Sequence, residues 1–404
     1  KWRKHVPGAS RRASDLVQCS GENIAGGSDM EYRTMEKLGV SPSLLGFGCM
    51  RFPVNPDGSI CEAKAEEMLD TAIKAGVTYI DTAYPYHNGN SEPFVGKVLK
   101  KYDRKSFFLA TKLPMWDVNS LEDAKRIFHE QLERLQTEYI DFYLLHCLDK
   151  EKWEKTLKLE LIPYMEELQK QGKIRFFGFS FHDDFETFKT ILTYRNWDFC
   201  QIQYNYADTD IQAGDRGYDL AEELGIPMVI MEPVKGGSLA SLPDEVTAPF
   251  KDYNPEASTA SWALRWVASK PNVKVVLSGM STPEQVADNL QTFQNFRPLS
   301  LKEKELVAEV SRLIKQRTRN GCTGCAYCMP CPFGVNIPQN FHIWNELGMY
   351  GNEGKAKQAY FKDLPEQERA DQCHECGKCE EVCPQGLSIR ENLKEVARDM
   401  EALK

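Results

Sequence analysis

The stretch Leu44-Leu45-Gly46-Phe47-Gly48-Cys49-Met50-Arg51 decides the fold, because it ends the first apolar run of patterned sequence. An open, doubly wound sheet that binds a dinucleotide usually leaves its first strand through a G-x-G-x-x-G turn that opens a helix. Here Gly46-Phe47-Gly48 runs into Cys49-Met50-Arg51, with no third glycine and no helix start. Working outward, Leu44–Cys49 is the first of eight short apolar runs. The others are Val77–Asp81, Phe107–Thr111, Ile140–Leu145, Ile174–Phe179, Phe199–Tyr204, Pro227–Met231 and Val273–Leu277. Between and after them lie stretches with apolar residues three to four apart: Glu62–Lys74, Glu92–Lys100, Leu121–Leu135, Leu161–Gln171, Asp184–Leu192, Arg216–Leu224, Pro255–Ala268 and Pro283–Thr292. Gly76, Gly172 and Gly225 stand just past helix ends, where a left-handed residue is wanted. Eight strand–helix units in about 250 residues predict an α/β fold of the (β/α)8 TIM-barrel type.

Residues 30–43 read as a short hairpin ahead of the barrel. Lys302–Arg319 reads as a charged amphipathic helix leaving it, with a boundary near Arg297–Ser300. The expected organisation is a leader over 1–29, the barrel over 30–300 and a small α-helical, ferredoxin-like domain over 301–404. The leader is rich in Gly, Ser, Arg and Lys and lacks an apolar core, so it is expected to be a disordered extension or cloning scar, with Met30 the natural start. Hydrophobic residues make up 42% of the 404, enough to bury a sizeable core. A formal charge of -9 argues against nucleic acid or an anionic membrane as partner. No apolar run approaches the ~18 residues of a membrane span. A cytoplasmic location is expected.

In a barrel of this kind, chemistry sits at the C-terminal ends of the strands. The second candidate strand ends in Asp81-Thr82-Ala83-Tyr84-Pro85-Tyr86, the third is followed by Lys112, and the fourth by His146. Each alone has an ordinary reading as a solvated or structural residue. Four acid–base groups ending three consecutive strands can instead converge. On these residues the chain resembles the aldo-keto reductases, over roughly 32–298, whose catalytic tetrad is Asp, Tyr, Lys and His. The resemblance implies hydride transfer from NADPH or NADH to a small carbonyl substrate. Tyr86 would be the general acid, its phenol lowered from a free pKa near 10 by Lys112. Asp81 would hold the lysine, and His146 would orient the carbonyl and donate to its developing oxyanion.

The resemblance also implies cofactor contacts. Ser180 matches the serine that touches the nicotinamide amide, and Gln201 its glutamine partner. Many members carry Asn after that serine; here Phe181 follows, then His182. Ser278-Gly279-Met280-Ser281-Thr282-Pro283-Glu284-Gln285-Val286-Ala287-Asp288-Asn289 resembles the segment for the cofactor phosphate and adenine. Ser278, Gly279, Ser281, Gln285, Asp288 and Asn289 are its candidate contacts, with Asp288 standing for the usual Glu. Where many members place Lys and Arg on the 2′-phosphate, this chain has Gly279 and Gln285. Losing two cations weakens discrimination for NADPH, so NADH and NADPH both stay open.

Eight of the thirteen cysteines fall after residue 321 in two runs. The first is Cys322, Cys325, Cys328 and Cys331, then Pro332. The second is Cys373, Cys376, Cys379 and Cys383, then Pro384. Without a secretory signal, clustered cysteines point to metal rather than disulfides. Zinc, which usually takes paired CxxC knuckles, is the alternative. The second run matches the bacterial ferredoxin pattern, in which the fourth cysteine of each run serves the other cluster. That resemblance implies two [4Fe–4S] clusters, one on Cys322, Cys325, Cys328 and Cys383, the other on Cys373, Cys376, Cys379 and Cys331. The first run departs from it, with two residues rather than three before Cys331. Gln339–Leu347, Glu353–Phe361 and Ile389–Ala402 read as helices, resembling the α-helical ferredoxin module.

A hydride carries two electrons and a cluster passes one, and no flavin fingerprint is visible to mediate. The clusters could be structural, could couple to a ferredoxin or other redox partner, or could mark a redox-sensing barrel without efficient turnover. The complete tetrad favours an enzyme. Trp116 reads as a substrate-pocket wall and Cys147 as packing. The pocket loops are expected over 147–160 and 232–254, and the cysteine-rich domain is expected to cover part of the barrel mouth.

Overall fold

The structure, a computed structural model, describes residues 29–404. All but the last residue of the expected leader, Cys19 included, lies outside the described residues. Eight parallel strands form a closed barrel: β1 Leu45–Gly48, β2 Tyr79–Asp81, β3 Phe108–Leu113, β4 Ile140–Leu148, β5 Ile174–Phe181, β6 Phe199–Gln203, β7 Met228–Met231 and β8 Val273–Ser278. Closure comes from β1 pairing with both β2 and β8.

Side chains alternate across a strand, so every second residue faces the barrel axis. Tyr79, Ala110, Phe142, Leu144, Phe199, Val229, Val275 and Leu277 form that inner cluster. Their neighbours, such as Ile80, Tyr143, Leu145, Phe177 and Phe179, face the helices and belong to the outer core. Gly178 makes room within this packing, since a Cβ there would lie 2.5 Å from the Phe199 carbonyl oxygen. The inner rows continue two residues further, to Asp81, Lys112, His146, Ser180 and Gln201, so the barrel's own alternation brings these five to one mouth. At the other end the 30–43 hairpin plugs the barrel. Bridges join Tyr32 to Ser43 and Met35 to Val40, and Met35 packs into the inner cluster.

The helices fall where periodicity placed them, with ends shifted by up to four residues. The loops after β4 and β7, read as pocket loops without helices of their own being assigned, each hold a helix: Lys150–Lys158 and Asp244–Tyr253. The first has six charged residues of nine and is started by Asp149, whose carboxylate accepts the Lys152 N–H at 2.7 Å.

Helix Leu301–Gln316 starts from a capping box between Ser300 and Glu303. Its apolar face, Leu306, Val307, Val310 and Ile314, does not leave the barrel but packs on its rim with Tyr206, Leu239, Phe250 and Trp262. Helices Ile337–Tyr350, Glu353–Gln358 and Ile389–Glu401 surround a further core built on Phe341, Trp344, Tyr360, Leu393, Val396 and Met400. Among the described residues no helix is long and apolar enough to cross a membrane.

Candidate active site and cysteine cavity

At the mouth, the Lys112 ammonium donates to Asp81 Oδ1 at 2.8 Å and to the Thr82 carbonyl at 2.8 Å. It lies 3.4 Å from the Tyr86 hydroxyl. The Tyr86 and His146 rings meet edge to face at 6.1 Å, and Trp116 lies 4.9 Å from His146 on the far side. The four residues proposed as a tetrad are thus contiguous, and Trp116, 44% exposed, forms a wall beside them.

Lys112 and Asp81 are buried. Burial works against the Lys112 ammonium, but Asp81 and then Tyr86 outweigh it, and its pKa stands above the ordinary lysine value. Burial raises Asp81, with Lys112 opposing. For Tyr86 the outcome differs from expectation. Lys112 pulls the phenol down, but burial is the larger effect and the net shift is upward. Burial, followed by the Lys112 charge, pushes His146 well below the usual histidine range, so its imidazole is neutral near pH 7. Among the described residues, three atoms here are buried without a hydrogen-bond partner: Asp81 Oδ2, His146 Nδ1 and Gln201 Oε1.

The residues expected to touch a cofactor divide into two places. Ser180 and Gln201 sit beside the tetrad. The Ser180 hydroxyl accepts the Cys147 N–H at 2.7 Å, and Gln201 Nε2 reaches Met231 Sδ at 3.4 Å. Cys147 is half-buried at a bulge with φ of 57°, and burial raises its thiol, so it is neither plain core packing nor an activated nucleophile. The rest lie past β8. Asn289 donates to the buried Ser278 hydroxyl at 2.8 Å, and Gln285 Oε1 accepts the Ser281 N–H at 2.7 Å. Asp288 turns aside and accepts from Ser258 at 2.6 Å. Gly279 is covered by the side chain of Arg51, because a Cβ at 279 would lie 2.7 Å from Arg51 Cγ. Sequence reading missed Arg51. It follows β1 directly, and the strand-end rule that found Asp81, Lys112 and His146 reaches it when applied to the first strand. His182 faces Gln212 and Glu232 near His146, and burial lowers its pKa.

The C-terminal cysteines are free of disulfides. Cys328, Cys331, Cys373, Cys376 and Cys379 line one cavity of about 280 Å³, where the Phe333 and His374 rings stack at 4.2 Å. The Cys328 thiol is raised first by burial, and the Cys322, Cys325 and Cys383 thiols lie near enough to add to that rise. Among the described residues no three His, Cys, Asp or Glu side chains converge as a ready site for one ion. The approach to the first run is fixed by buried amides, with Asn345 Oδ1 accepting the Asn320 N–H at 2.8 Å and Asn320 Oδ1 accepting the Cys322 N–H at 2.8 Å.

A profile of the aldo/keto reductase family matches residues 44–312, and one described as a 4Fe-4S dicluster domain matches 321–387. The oxidoreductase YqkF of Bacillus subtilis (strain 168) is 30% identical over 300 residues, which cover 66% of this chain and 93% of its own. The NADH-specific methylglyoxal reductase of Escherichia coli (strain K12) is 25% identical over 314 residues, 64% of this chain and 89% of its own. Among solved structures, the holo form of aldo-keto reductase AKR11C1 from Bacillus halodurans is 28% identical, covers 70% of this chain and 96% of its own, and superposes with a TM-score of 0.59. The chain belongs to the aldo/keto reductase family. It is an oxidoreductase barrel followed by a 4Fe-4S dicluster domain.

Proposed function

We propose that the chain reduces an aldehyde or ketone with NADH or NADPH, Tyr86 acting as general acid. The observation that carries this reading is the run of contacts from Asp81 through Lys112 to the Tyr86 hydroxyl, beside a neutral His146 at the barrel mouth. A nicotinamide bound there supplies the hydride. The site fits its carboxamide, because Gln201 Oε1 is a buried acceptor without a partner and Ser180 lies at the same mouth. Ser278, Gly279, Ser281, Gln285, Asp288 and Asn289 are the residues for the rest of the dinucleotide, with Asp288 the least directly placed. His146 is held as an imidazole that donates to the carbonyl oxygen as charge develops. Tyr86 delivers the proton, and Lys112 then stabilises the phenolate left behind, with Asp81 fixing the ammonium. The name of the Escherichia coli relative makes methylglyoxal the first carbonyl to try.

Two [4Fe–4S] clusters are the reading of the cysteine region, with the ligand sets Cys322, Cys325, Cys328, Cys383 and Cys373, Cys376, Cys379, Cys331. Thiols spread around a cavity suit a cube of iron and sulfide better than a single zinc ion. The clusters pass single electrons, which leaves a ferredoxin-type partner as the expected correspondent of that region.

The test is Tyr86→Phe. Removing the proton donor should lower carbonyl reduction about 10²–10⁴-fold, with nucleotide affinity, followed by fluorescence titration, unchanged. Turnover equal to wild type would exclude Tyr86 as the acid.

A further inference from the structure

Arg51 ends the short turn Cys49–Arg51 that leaves β1. Its stem crosses Gly279, where a Cβ would meet Arg51 Cγ at 2.7 Å and Arg51 Cβ at 3.1 Å. Its far end reaches the loop after β7, with one guanidinium nitrogen 3.9 Å from where a Cβ on Gly236 would stand. The arginine therefore spans the exits of β7 and β8, the part of a barrel mouth where phosphate groups are commonly held. Its backbone is tied to the same segment, since the Ser281 hydroxyl donates to the Arg51 carbonyl at 2.8 Å.

The charge at this place is uncommitted. Arg51 is exposed, and among the described residues no side-chain hydrogen bond or ion pair holds its guanidinium. The other cation of the β7 loop, Lys235, is already neutralised by Asp208 at 2.8 Å and faces Glu346 at 3.8 Å. Gly279 and Gln285 carry no charge. A planar guanidinium matches phosphate oxygens through paired, charge-assisted hydrogen bonds.

We propose that Arg51 is the phosphate ligand of the nicotinamide dinucleotide site, supplying from the first strand the cation that Gly279 and Gln285 do not. Gly279 is glycine because the arginine stem occupies its side-chain space. The assignment rests on the nicotinamide reading above. The phosphate is either the pyrophosphate common to both nucleotides or the 2′-phosphate of NADPH alone.

The experiment titrates the full chain with NADH and with NADPH, by fluorescence or calorimetry, at two ionic strengths. The variants are Arg51→Gln, which keeps the stem over Gly279 and removes the charge, and the double change Arg51→Ala with Gly279→Lys. Arg51→Gln should weaken binding about tenfold or more and flatten its salt dependence. Equal loss for both nucleotides assigns the pyrophosphate; loss confined to NADPH assigns the 2′-phosphate. The double variant, which removes the 2.7 Å clash with Arg51 Cγ and leaves only the 3.1 Å approach to the Cβ at 51, should recover part of the affinity lost in Arg51→Gln. Arg51→Gln that binds both nucleotides within about twofold of wild type, with unchanged salt dependence, overturns the assignment alone. A wild-type chain that binds neither nucleotide overturns the cofactor reading and the assignment with it.

Discussion

Lys112 is asked to stay charged where water is excluded, and Asp81 answers that demand by sharing its burial. Tyr86 stands at the edge of the pair as a phenol lifted above its ordinary value, so it holds its proton until a carbonyl oxygen needs it. His146 sits under the same cation with the opposite consequence. Burial, then Lys112, keeps it from protonating, and its Nδ1 has no partner among the described residues. This has a sign in stability. Unfolded, the imidazole titrates near its ordinary 6.5; folded, its pKa lies well below that. The contribution is fully present above pH 6.5 and is lost as pH falls toward the folded value, because the unfolded chain then binds a proton that the folded one refuses. His87 and His182, both lowered first by burial, push the same way, while the raised Asp81 and Glu92 push the other way. Comparing variants isolates one group. Melting temperature measured from pH 7.5 to pH 5 should fall less steeply in His146→Gln than in wild type. Parallel curves would mean that His146 titrates normally.

At the scale of elements, the tetrad depends on how closely two helices behind β3 approach. Glu92 on helix Ser91–Leu99 accepts from Thr111 and from Gln131 on helix Leu121–Arg134, both at 2.7 Å, and Gln131 also donates to the Lys112 carbonyl at 3.0 Å. Gly96 permits this approach. A Cβ there would lie 2.5 Å from the Arg134 carbonyl oxygen and 2.6 Å from the Leu135 carbonyl carbon. Gly96→Ala should therefore push the helices apart and cost about 1–3 kcal/mol as overpacking, read by calorimetry. A melting temperature at or above wild type would show that the helices yield freely. These elements were readable in sequence because each strand alternates between a barrel interior and a helix layer, and the same parity carried Asp81, Lys112 and His146 to one rim. Lys150–Lys158 was not, since Lys-Glu-Lys-Trp-Glu-Lys-Thr-Leu-Lys buries only Trp153 and Thr156 and offers no apolar period. Asp244–Tyr253 was hidden by Pro249 inside it. Arg51 over Gly279 joins residues 228 positions apart, a contact made by barrel closure and not by any local pattern.

At the scale of the molecule, the cysteine-rich region and the barrel share a surface at the β7 loop. Tyr350 enters the rim cluster with Leu239 and Leu242, Lys355 donates to the Ser238 hydroxyl at 3.2 Å, and Arg317 pairs with Glu245. Tyr350 ends helix Ile337–Tyr350, whose Phe341, Trp344 and Leu347 enter the core against which Cys322, Cys328, Cys331, Cys373, Cys379 and Cys383 pack. The thiols thus line the same small core that holds this helix in place. Stripping the metal would leave that core with cavities and poorly solvated thiols, and close-packed interiors transmit such a loss to their neighbours. The β7 loop should feel it, because Tyr350 at the end of that helix and Lys355 on the next one both touch it. Treating the full chain with a chelator and a mild oxidant should therefore raise amide hydrogen exchange in residues 232–243 as well as in 321–404, with 140–148 unchanged. If the proposed carbonyl reduction holds, its Michaelis constant should rise with the exchange, since that loop leaves β7 at the barrel mouth. Exchange that rises after residue 320 alone, with an unchanged Michaelis constant, would mean that the barrel keeps its rim without help and that the two halves are joined only in sequence.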